Sequence, residues 1–107
     1  MNLRTRHLQV FGVIDHAAAA RTAGLTMLFE TVIVFGNPAV GTALMLADPR
    51  IGYDLPMRML VRALPTGGSE IVYRDPMTLA SEYDLADVVP VLEKLSSLLL
   101  DIADGIR

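Results

Sequence analysis

The sequence predicts an α+β domain of two layers, a mainly antiparallel sheet packed against a long C-terminal helix, with shorter helices at the strand ends. Three observations carry this prediction. Glu30–Pro56 reads as a strand, a sharply capped helix and a second sharp turn. Two strand-length segments flank Pro65-Thr66-Gly67-Gly68, a composition suited to a hairpin connection. The last stretch carries Val88, Val91, Leu92, Leu95, Leu98, Leu99 and Ile102 at i, i+3, i+4 spacing, the mark of one buried helix face.

Length and composition bound the rest. A chain of 107 residues makes a single domain, 1–107, with room for one core. The apolar fraction is 52% and the mean hydropathy +0.44, yet no apolar run reaches the ~18 residues that a membrane span requires. The surplus apolar surface is therefore expected at a subunit interface. No cysteine is present, which excludes disulfides and thiolate chemistry. Net charge is −3 and the basic residues are scattered, so nucleic acid is not an expected partner. Arg4, Arg6 and His7 ahead of an apolar run imitate a signal peptide, but the run is short and Asp15-His16 interrupts it.

Leu8–Ile14 is short, apolar and rich in β-branched and aromatic residues, which predicts a buried strand. Asp15 stands where a helix N-cap belongs, ahead of the alanines 17–20, and Gly24 is a stop signal. Val32 to Phe35 are apolar in succession, which predicts a central strand at Glu30–Gly36 covered on both faces. Asn37-Pro38 is a helix start, with Asn as cap and Pro at the first helical position. Asp48-Pro49 ends that helix near Ala47. Gly41 inside it implies close contact between helix and strand. Arg50–Pro56 reads as a loop. Met57–Leu64 is a strand with Met57, Met59 and Val61 on one face and Arg58, Leu60 and Arg62 on the other. Glu70–Arg74 returns antiparallel, and Asp75-Pro76 opens a short helical turn towards Tyr83. Asp84 or Asp87 caps the last helix, which runs to about Asp104 and leaves Leu100 off its apolar stripe.

Several motifs invite a chemical reading. Gly36 to Thr42 has the outline of a phosphate-binding loop but lacks its lysine, and Pro38 removes one amide donor. A tight strand-to-helix corner explains it better. Asp15-His16 could serve metal binding or proton transfer; as structure it is a cap followed by a first-turn residue. Asp48, Asp54 and Asp75 stand at proline or glycine corners, where turn chemistry accounts for them. Arg58 and Arg62 on one strand face could hold an anion or could simply face water. Met27, Met45, Met57, Met59 and Met77 could line an adaptable apolar pocket, although core filling is the default.

The runs IDHAAAARTAGL, TVIVFGNPAVGTALMLADPRIGYDLPMRMLV and VYRDP resemble the family numbered 302 among domains of unknown function, over most of the chain from about Phe11 onward. The resemblance implies a TBP-like α+β fold, a curved antiparallel sheet gripped by a long C-terminal helix, and pairing into homodimers. It implies no established activity and no cofactor. Members of the family usually begin with a further strand and helix, and this chain starts almost at the segment that follows them. The distinctive polar positions are Asp15, His16, Asn37, Thr42, Asp54 and Asp75.

Three functions follow as expectations. The first is a non-enzymatic, cytoplasmic, homodimeric module without metal or cofactor. The second is a small-molecule binder whose apolar cleft, between sheet and final helix, is bordered by Asp15, His16, Asn37, Thr42 and Asp54, with Arg58 as a further ligand-contacting candidate. The third is a hydrolase or isomerase using His16 with a nearby carboxylate.

Overall fold

The computed structural model describes residues 8–106, so Arg4, Arg6 and His7 lie outside the described part. The elements are β1 (Gln9–Asp15), α1 (His16–Thr22), β2 (Glu30–Gly36), α2 (Pro38–Ala47), β3 (Met57–Ala63), β4 (Ser69–Tyr73) and α3 (Val89–Ile106). Three 3₁₀ segments, Pro49–Asp54, Pro76–Ser81 and Ala86–Val88, join them. The four strands form one open antiparallel sheet in the order β1-β2-β3-β4, and the long final helix belongs to a second layer. The α+β expectation holds.

Local punctuation explains the element ends. Asn37 Oδ1 accepts the amides of Ala39 (2.9 Å) and Val40 (3.4 Å), satisfying two donors that a helix start leaves over. Asp15 Oδ1 does the same for Ala18 at 2.9 Å. Asp48 ends α2 and caps the next turn in one step, because its carboxylate accepts the Arg50 amide. That turn makes Pro49–Asp54 a 3₁₀ helix where a loop was expected. Gly67 and Gly68 carry the β3–β4 hairpin at φ 93° and 80°, a region that a side chain would strain.

The core lies between the sheet and the helices. Register puts Ile33, Met59 and Tyr73 side by side across β2, β3 and β4, with Phe35 beside Met57. Leu92, Leu95, Leu99 and Ile102 of α3 join this cluster, so the apolar stripe read from the sequence is the buried one. Neither aspartate caps α3. The 3₁₀ segment Ala86–Val88 leads into it, started by Leu85 without a side-chain cap, and Pro90 occupies its first turn.

Two strand expectations need correction. β2 is an inner strand, but only Thr31 and Phe35 are buried and its other residues are half-covered. Its second face belongs to the open side of the sheet. There Ile14, Val32, Leu60 and Val72 form an apolar row across all four strands. β1 is a strand, but not a buried one: every residue except Gly12 is exposed. It lies at the sheet edge, where the helical layer does not cover even Val13, the neighbour of Ile33 on the core side.

Candidate functional site

A concavity with an almost wholly apolar wall sits where α2 leaves the sheet. It has a volume of about 270 Å³. Its walls come from five places. Phe11 of β1 and Gly36 at the end of β2 form one side. Val40, Gly41, Leu44 and Met45 of α2 form the roof. Leu55 to Met57 and Leu95 of α3 close the rest. The Asn37-Pro38 corner decides this arrangement, because it turns the chain out of β2 and starts α2 across the sheet end. No charged side chain lines the cavity.

Gly41 was expected to mark tight helix–strand contact. The structure shows no approach close enough to require glycine. A Cβ built there would come no nearer than 3.9 Å to Leu55 Cδ1 and 4.0 Å to Met45 Cε. A Cβ at Gly41 would make ordinary contact with those two side chains and would stand in the wall of the concavity.

A smaller concavity of about 60 Å³ lies beside it, lined by Asp54, Pro56, Met57, Arg58, Arg74, Pro76 and Leu79. Its polar wall is a network. The Tyr83 hydroxyl donates to Asp54 Oδ2 at 2.5 Å, and Arg74 faces Asp54 Oδ1 at 3.8 Å. Arg74 also donates to Thr78 Oγ1 at 3.1 Å and to Glu82. The hydrogen bond to Asp54, with burial adding to it, pushes the Tyr83 phenol up to about 12. A phenol held neutral in this way is a poor base, so the network locks the two 3₁₀ turns together rather than activating a proton acceptor.

Asp48 forms a second polar knot. Its carboxylate accepts two bonds from the Arg50 guanidinium, at 3.1 and 2.8 Å, and the Asp84 amide at 2.9 Å. The Arg50 side-chain bonds, then the Asp84 amide, hold it well below the usual carboxylate range. Asp75 is also lowered, by the Met77 amide and then the Ser96 hydroxyl.

The sequence-nominated residues do not gather at one place. Asn37 lines the apolar cavity, with Oδ1 engaged as the α2 cap. Asp54 and Arg58 line the smaller concavity. Asp15, His16 and Thr42 are exposed and line neither. Among the described residues no hydrogen bond joins His16 to a carboxylate, and Asp15 is engaged as the α1 cap. No group of three His, Cys, Asp or Glu among the described residues is placed to hold a metal ion. Arg62 is bracketed by Glu30 (3.7 Å) and Glu70 (3.1 Å), so its charge is met within the sheet. Tyr83 was missed as a partner of Asp54; nothing in the spacing of residues 29 apart signals the contact.

An open four-stranded antiparallel sheet, one covering helical layer and an uncharged cavity at the β2–α2 corner define a small α+β domain without an assembled catalytic constellation among the described residues. The chain belongs to the family described as domain of unknown function DUF302, whose model matches residues 1–102. The crystal structure of an uncharacterised conserved DUF302 protein from Bacillus stearothermophilus is similar over 98% of this chain and 82% of that one, with a TM-score of 0.82. Sequence identity there is 14%, so the likeness is one of fold. The chain is also 40% identical over 78 residues to proteins named fluoride-specific ion channel FluC 1 from Brucella suis biovar 1 (strain 1330) and Brucella abortus biovar 1 (strain 9-941). The match covers 73% of this chain but 31% and 29% of those proteins, so it spans less than a third of their length. Among the described residues no helix is long and apolar enough to cross a membrane.

Proposed function

We propose that this protein is a non-enzymatic interaction module that works as a homodimer. The observation that supports this most directly is the bare apolar edge of the sheet. Val13 is 62% exposed and Ile14 48%, on opposite faces of the same edge strand. The segment after α1 adds Leu25, Leu28 and Phe29, each more than half exposed. Exposed apolar residues scattered singly are ordinary, but several of them on both faces of an edge strand and in the segment that precedes its partner strand suit an interface that wraps that edge. An edge strand offers the same unpaired backbone groups to a second copy, so antiparallel pairing of β1 with its twin satisfies both at once.

Sedimentation of the full chain tests this. The expected result is a dimer at micromolar concentration that Val13→Lys converts to a folded monomer, since Val13 is too exposed for the substitution to disturb one subunit. A wild-type monomer at that concentration overturns the reading.

The Brucella relatives favour a second reading for this domain type. Its likeness to a minor part of proteins named as fluoride channels supports an appendage that associates with a membrane protein and conducts nothing itself. Vesicles holding this chain alone are then expected to retain fluoride. Fluoride release from them would contradict it.

A further inference from the structure

We infer that the cavity at the β2–α2 corner is a binding site for a small neutral, chiefly hydrocarbon ligand of roughly bicyclic size. Size is the first argument. An apolar cavity of ~150 Å³ takes up benzene, and this concavity, which opens to solvent, measures about 270 Å³. Water gains too few hydrogen bonds between walls such as Leu44, Leu55 and Met57 to be held there well.

Charge is the second argument. The lining contains no lysine, arginine or histidine, so a carboxylate or phosphate would leave water for a wall that offers it no counter-charge. Lys94 lines a different gap, between α2 and α3, and not this cavity. The one polar side chain in the lining is Asn37, whose Oδ1 is engaged by the helix amides. Its remaining capacity is the NH₂ donor group, which suits a single hydroxyl or carbonyl oxygen on the ligand.

Glycine placement is the third argument. Gly41 sits in the middle of α2, where glycine is the poorest choice short of proline, and no close contact requires it there. Gly36 borders the same space, and a Cβ on it would meet Pro56 Cβ at 3.6 Å and Phe11 Cε2 at 3.7 Å. Both positions hold open a volume that any side chain would reduce. Met45 lines the cavity and is partly exposed, a flexible side chain suited to admitting a ligand. This inference is independent of the dimer.

The test is an NMR titration of the full chain with 2-naphthol, and with 2-naphthoate as its charged counterpart. Expected are saturable shifts at Gly36, Gly41 and the Met45 and Met57 methyls, with 2-naphthoate at least tenfold weaker. Gly41→Leu is expected to abolish binding while the spectrum stays dispersed. Should that variant not fold, Gly41→Ala serves instead, with several-fold weaker binding expected. No saturable shift, shifts confined to β1 and residues 25–29, equal or tighter binding of 2-naphthoate, or unchanged affinity in the folded glycine variant would each overturn the assignment.

Discussion

The Tyr83 hydroxyl lies 2.5 Å from Asp54 Oδ2, joining the last residue of one 3₁₀ turn to a residue two positions beyond the end of another. Tyr83→Phe is therefore expected to lower the thermal midpoint. The phenol is raised from 10.0 to about 12 by this bond, so the fold favours its neutral form. A raised value means the contribution is complete below the unfolded value and is lost as pH climbs through the folded one. The stability gap between wild type and Tyr83→Phe should hold up to about pH 10 and narrow above it. Urea unfolding across that range checks this, and a gap independent of alkaline pH would refute the coupling.

Asp48 behaves in the opposite sense. Its folded value is depressed below 3.8 because the ionised form accepts the Arg50 guanidinium and the Asp84 amide. Stability from this group is present above the unfolded value and drains away as pH falls through the folded one. Asp48→Asn should destabilise at neutral pH, and the difference from wild type should shrink in acid. Denaturant midpoints measured from neutral pH into strong acid give the answer.

Two leucines on α3 should differ sharply. Leu92 is fully buried, and Leu92→Ala is expected to cost about 2–5 kcal/mol through lost contacts and the cavity left behind. Leu100 is 50% exposed, so Leu100→Ala should change the stability of one subunit by no more than about 0.5 kcal/mol. Equal effects in chemical denaturation would mean that the helix face is misassigned.

Gly41→Ala should stabilise the fold. Nothing lies closer than 3.9 Å to the added Cβ, and alanine in mid-helix is better than glycine by about 0.5–1 kcal/mol. A loss of stability on thermal unfolding would show that the space is not free.

Much of the architecture was legible in the chain. Asn37-Pro38, Asp48-Pro49 and Asp75-Pro76 each turn the backbone where they were expected to, since a cap acts on amides two or three residues away. The stripe on α3 and the alternation in β3 were legible for the same reason: periodicity is a property of a short stretch. The nominated polar residues fared differently. Asp15, Asn37 and Asp54 are each engaged locally or by a partner that no spacing rule names.

The sequence by itself determined the order of the helices and strands and most of their ends, though not the start of α3, as well as which family the chain resembles and which helix face is apolar, because these depend on neighbours along the chain. Only the tertiary structure decided that β1 stands bare at the sheet edge, that Gly41 borders a concavity and not a tight helix–strand contact, and that Tyr83 reaches Asp54. Each of those depends on how far one layer extends over another, and layer overlap is set by segments distant in sequence packing to a common density.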